Sequence, residues 1–150
     1  MLLLPGITGC RATKPEKLEE ESVYWIKRNI TVGNKREANP IPMSSENIEE
    51  GKEAFESYCM VCHGLDAQNT GVPFAATMSP PVPSLANTEV QAYTDGQLKW
   101  IIENGIYPSG MPPSKGIFSD DDMWRMVLYI RHLPHPGSLG DPIVYGGNGK

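Results

Sequence analysis

The run Cys59-Met60-Val61-Cys62-His63 constrains this chain more than any other feature. Two thiols at C-x-x-C spacing, with an imidazole directly after them, put three reactive groups on little more than one helical turn. A redox dithiol of this spacing belongs in a strand–helix–strand setting, and no strand pattern precedes Cys59. A structural zinc needs four ligands, and the remaining donors, Cys10, His132 and His135, form no second paired knuckle. A plain disulfide would leave His63 without a role.

Covalent attachment of haem uses all three groups. The thiols add to the two vinyl groups on one porphyrin edge, and the adjacent imidazole is then placed to ligate iron. The expectation is one haem c, with Cys59 and Cys62 as attachment points and His63 as the first axial ligand. A chain of 150 residues has room for one compact domain with flanking segments. Net charge is −5, and it is uneven: residues 11–44 carry seven basic and five acidic side chains, residues 45–134 five basic and twelve acidic. An acidic domain repels phosphates, which argues against a nucleic-acid partner, and is compatible with steering toward a basic protein. No stretch reaches the roughly 18 apolar residues of a membrane-spanning helix.

Four segments are expected. Residues 1–10 join an apolar stretch to small residues and Cys10, resembling the lipobox of exported bacterial lipoproteins, with cleavage after Gly9 and lipid on Cys10. That points to a periplasmic or otherwise extracytoplasmic protein anchored at a membrane. Residues 11–43 read as a polar tether ending in Asn39-Pro40-Ile41-Pro42. Within it Val23, Tyr24, Trp25 and Ile26 cannot share one helical face, so they should lie against the domain or a partner. Residues 44–134 form the domain, and residues 135–150, with five glycines, form a flexible tail.

Inside the domain, Ser44 or Asn47 can cap a helix in which Ile48, Phe55, Tyr58, Cys59 and Cys62 recur at helical spacing. Gly51 would let another helix approach closely. The section 64–93 contains Ser79-Pro80-Pro81-Val82-Pro83 and is long for an irregular segment unless it wraps something, for which a haem is a candidate. Thr94 with Gln97 and Ser119 with Asp122 read as capping boxes of two further helices, the first ending at Gly105, the second at Pro134.

These elements together resemble a class I bacterial cytochrome c over residues 44–134. Gly51, Phe55 and the Cys59–Gly64 run resemble the family's first helix and attachment site. Pro83-Ser84-Leu85 resembles its proline loop, Asn104-Gly105 with Gly110-Met111-Pro112 the segment that supplies a distal methionine, and Trp124 to Ile130 the terminal helix. The resemblance implies an all-α fold of at least three helices around one haem, its first and last helices crossing where Gly51 and Phe55 meet Met126 and Tyr129. It implies one-electron transfer between protein redox partners, with no catalytic residues of its own. It also implies that the Pro83 carbonyl accepts a hydrogen bond from His63, with Pro81 as the alternative.

Among seven methionines the second axial ligand must be chosen. Met60 lies within the attachment run, Met123 and Met126 belong to a core-packing helix, and Met1 and Met43 precede the domain's first helix. Met111 sits in a proline-stiffened loop where the family pattern wants it; Met78 is the alternative, in a section expected to pass on the His63 side. His63 and Met111 would then hold iron from both sides, which suits electron transfer. Two other functions stay open: a haem electron-entry subunit of a larger oxidoreductase, and a five-coordinate peroxidase or gas sensor. Trp100, Tyr107 and Trp124 are further candidates for haem contacts.

Overall fold

The computed structural model describes residues 24–134 together with residue 22, and leaves out 79 and 108. Among the described residues, from Ser45 onward, five α-helices follow one another: α1 (Ser45–Tyr58), α2 (Met60–His63), α3 (Thr88–Gln91), α4 (Asp95–Asn104) and α5 (Asp120–Arg131). Among the described residues, β structure is confined to two isolated bridges, Ile106 with Met111 and Lys115 with Phe118. The expected all-α architecture is the one observed.

Each long helix starts where its capping residue dictates. Ser44 Oγ accepts the Asn47 amide at 3.1 Å, so Ser44 and not Asn47 is the cap of α1. Thr94 with Gln97 and Ser119 with Asp122 both close as reciprocal capping boxes, which satisfy amides that a helix start leaves unpaired. Asp120, Asp121 and Asp122 occupy the first turn of α5, where the helix dipole favours negative charge.

The frame is the crossing of α1 and α5. Gly51 is buried against the Arg125 carbonyl, and four residues later Phe55 meets Tyr129 with ring centroids 5.3 Å apart. On α5 the positions 123, 126, 127 and 130 keep helical spacing and face the main core with Leu98, Ile101 and Ile102 of α4. Phe55 and Met126 are essentially fully buried, each contributing about 1.5–3 kcal/mol of hydrophobic stabilisation. Arg131 fastens the end of α5 to the turn before α4: Nε donates to Asp95 at 2.8 Å, and its terminal nitrogens donate to the Gln91 and Tyr93 carbonyls.

The segment read as a tether over residues 11–43 packs against the rest of the structure in its second half. Residues 24–39 form a strap laid on the domain. A helical stretch at 24–26 continues into a π-helical turn, Lys27–Thr31, and Val32 is buried in the main core beside Val90, Tyr93 and Leu98. Polar side chains that would solvate a free tether instead bond to distant backbone. The Tyr24 hydroxyl donates to the Glu89 carbonyl at 2.7 Å, Arg28 to Ala92 at 2.6 Å, and Asn39 to Trp124 at 2.8 Å. From the other side Gln97 donates to the Gly33 carbonyl and Thr94 to that of Lys35. Gly96 of α4 gives the strap room to lie close, since a β-carbon would sit about 3.1–3.2 Å from the Glu37 backbone. The section 64–93 is likewise less irregular than expected, with a 3-10 turn at Ala75–Thr77 and α3 capped by Asn87. Cys10, the rest of residues 1–21, Val23 and the tail 135–150 lie outside the described residues.

Candidate functional site

The attachment run begins where α1 stops. Cys59 closes α1 by donating its amide to the Phe55 carbonyl, and after this break the chain turns once more as α2, with the His63 amide donating to the Cys59 carbonyl at 3.0 Å. Gly64 then ends the turn at φ +75°, a conformation that costs glycine little. Cys59 and Cys62 are both free thiols. Burial, with the neighbouring Cys62, pushes the Cys59 thiol up to about 11, so it stays protonated at neutral pH.

His63 is buried beneath Phe55, ring centroids 6.3 Å apart. Burial lowers its pKa to about 4, while the Pro83 backbone pulls the other way. The ring is therefore neutral at neutral pH and keeps a nitrogen lone pair free for a metal. The Pro83 carbonyl influences the ring without reaching full hydrogen-bond geometry, since His63 Nδ1 is buried with no hydrogen-bond partner. An orphaned ring N–H in such a place costs about 1–3 kcal/mol. The pairing expected between Pro83 and His63 is thus approached but not closed.

Pro83 is brought there by bonds the sequence did not announce. Asn69, at φ +63°, donates from its side chain to the Val82 carbonyl at 2.7 Å while its amide donates to the His63 carbonyl at 2.8 Å. Leu85 donates to Ala67, and Val82 to Ala75, so the proline loop is sewn to the segment that leaves His63. Asparagine tolerates positive φ better than most residues, which is the one local signal that could have flagged Asn69.

On the other loop Gly105, at φ +68°, ends α4, and the chain folds straight back over it: a β-carbon there would lie 2.4 Å from the Met111 carbonyl oxygen. The Ile106 amide donates to that same carbonyl at 3.2 Å. Ser114 and Lys115 donate to Ile102 and Glu103, so Met111, half-buried against the main core, is held in a loop anchored at both ends. Met78, the alternative thioether, has its terminal methyl 3.3 Å from where a Gly110 β-carbon would be.

Of the aromatic candidates, Tyr107 is 95% exposed, whereas Trp100 and Trp124 line a cleft with Lys99, Glu103 and Asp120, which form an ion-pair network. His132 is exposed and donates to the Leu128 carbonyl, and His135 lies outside the described residues. Around the attachment run, Val61, Leu65 and Phe74 are apolar and exposed. Free paired thiols, a neutral buried imidazole and thioethers on a separate loop are a donor set that fits a covalently attached haem.

A family model described as "Cytochrome C oxidase, cbb3-type, subunit III" matches residues 46–130. A search of curated proteins returned no match. Among solved structures, the Kuenenia stuttgartiensis reducing HAO-like protein complex Kustc0457/Kustc0458 contains a chain 20% identical, with a TM-score of 0.53 over 65% of this chain and 49% of that one. The chain thus spans about half the length of that relative, and the likeness is one of fold. The KustC0563 c-type cytochrome is 24% identical with a TM-score of 0.45, covering 54% of this chain and 93% of that one. Cytochrome CL of Methylophaga aminisulfidivorans MPT is 19% identical with a TM-score of 0.47, covering 83% and 70%.

Proposed function

Because this chain belongs to the c-type cytochrome family described as cytochrome c oxidase, cbb3-type, subunit III, and so carries covalently bound haem c and transfers electrons, we propose the following assignment of its parts. Cys59 and Cys62 would form the thioether links, His63 and Met111 would hold the iron, and the chain would serve as an electron carrier between protein partners and not as an enzyme. When bound, haem c supplies an iron that alternates between ferrous and ferric states. The protein's contribution is to hold His63 neutral by burial, so that no proton competes for its lone pair. The Met111 thioether would favour ferrous iron and so raise the reduction potential. The Pro83 carbonyl would accept the His63 Nδ1–H and orient the ring, and the orphaned nitrogen beside that backbone is what supports this.

The observation that carries the reading is the buried, neutral, unpartnered imidazole directly after two free thiols. The same reading places the protein outside the cytoplasm, with lipid on Cys10 as its anchor. The mass of the mature protein tests both at once: it should exceed that of the polypeptide by one haem, and by lipid as well. A chain lacking haem would overturn the assignment. Service as the electron-entry subunit of a larger oxidoreductase is a second reading, supported by the family description, which names an oxidase subunit. Co-purification with a stable enzyme partner would favour it over a mobile shuttle.

A further inference from the structure

The strap is amphipathic in an inverted sense. Its inward positions are filled by Tyr24 and Arg28, which bond to backbone and pack on Tyr93: Tyr24 edge-on at 5.9 Å and Arg28 over the ring at 5.6 Å. The large apolar residues point the other way. Trp25 is 60% exposed, Ile26 48% and Ile30 66%. A helix that spends polar groups on the domain and turns a tryptophan and two isoleucines outward carries a surface suited to being covered.

Charge narrows what covers it. Residues 24–36 hold four basic side chains and no acidic one before Glu37; Arg28 is turned onto the domain, which leaves Lys27, Lys35 and Arg36 to give the strap its positive charge, in a chain whose net charge is −5. Apolar residues with an aromatic ring, flanked by lysine and arginine, are the composition of segments that lie in the interface of an anionic bilayer. An acidic protein would satisfy the charge, but, resting on the proposed reading of Cys10 as a lipid anchor 15 residues before Trp25, lipid is the favoured occupant. We propose that the outward face of the strap, Trp25, Ile26 and Ile30, docks on an anionic membrane surface. Because the strap is bonded to Thr94, Gln97 and Trp124, docking orients the whole domain on the membrane. A lipid on Cys10 alone would leave it to swing.

The test uses the full haem-loaded chain carrying Cys10→Ser, so that no lipid anchor contributes. It is floated with phosphatidylcholine vesicles, with and without phosphatidylglycerol. Binding is expected to the phosphatidylglycerol vesicles and to weaken with salt. The triple change Trp25→Ser, Ile26→Ser and Ile30→Ser should lower partitioning at least about tenfold. Lys35→Glu with Arg36→Glu should lower it on anionic vesicles only, each lost positive charge being worth about fivefold. All these positions are solvent-accessible, and an unchanged haem spectrum and urea midpoint verify that each variant is folded. Ile30→Ser alone provides a milder variant, expected to give a partial loss. Three results would overturn the proposal: no binding to anionic vesicles, equal binding by the triple variant, or a face that instead mediates self-association or capture of an acidic protein without binding lipid.

Discussion

Gly51 of α1 lies against the backbone of Arg125 in α5 so closely that a β-carbon on residue 51 would sit 2.1 Å from the Arg125 carbonyl oxygen. Neither partner can yield cheaply, because both are helical backbone in the crossing that frames the domain. Gly51→Ala should therefore force the helices apart and destabilise the protein by about 2–3 kcal/mol, despite alanine's better helix propensity. Urea unfolding of the haem-loaded protein measures this, and an unchanged midpoint would contradict the close approach.

Gly105 has a different task. At φ +68° a side chain costs about 1–2 kcal/mol, and here it would also collide with the Met111 carbonyl. Gly105→Ala should displace the Met111 loop while leaving α1 and α5 packed. The expected outcome is faster carbon monoxide binding to the ferrous protein than in wild type, with helical circular dichroism retained.

The His63 pKa gives a pH dependence whose sign follows from burial. Unfolded, the imidazole takes a proton near pH 6.5; folded and haem-free, it does so only at about 4. Between these values the unfolded chain binds more protons, so the stability of the chain before haem attachment is intact above pH 6.5 and falls as pH drops toward 4. The loss attributable to this one group is about 3 kcal/mol. Tryptophan-monitored urea unfolding at pH 7 and 4.5 should show it, and His63→Gln should flatten it.

Arg131 binds three partners across the end of α5, Asp95 and the Gln91 and Tyr93 carbonyls. Arg131→Ala leaves two carbonyls and a carboxylate short of a donor and should destabilise the fold by about 2 kcal/mol. Arg131→Lys should recover only part of this, because an ammonium cannot reproduce the planar fork. Thermal unfolding of the two variants side by side checks the order.

What could be read in the sequence was local. The caps at Ser44, Thr94 and Ser119 announce helix starts through side chains bonding three residues onward, and the Gly51–Phe55 spacing identifies the crossing face. The attachment run is legible for the same reason, since its groups are adjacent in the chain. The strap was not, because its hold on the domain comes from polar side chains reaching backbone carbonyls more than sixty residues away, and from a single buried residue, Val32. Such bonds leave no periodic trace. The approach of Met78 to Gly110 leaves no local signal either, since nothing in its neighbours tells how far a flexible thioether will reach.

Because Met78 reaches Gly110, the chain neighbour of Met111, the identity of the sulfur ligand is the most direct test. The measurement is the sulfur-to-iron charge-transfer band of the ferric protein in wild type, Met111→Ala and Met78→Ala. The band should be present in wild type and in Met78→Ala and absent in Met111→Ala, whose reduction potential should fall. A band that is missing from wild type, or that survives in Met111→Ala and disappears in Met78→Ala, would contradict the proposed His63 and Met111 ligation.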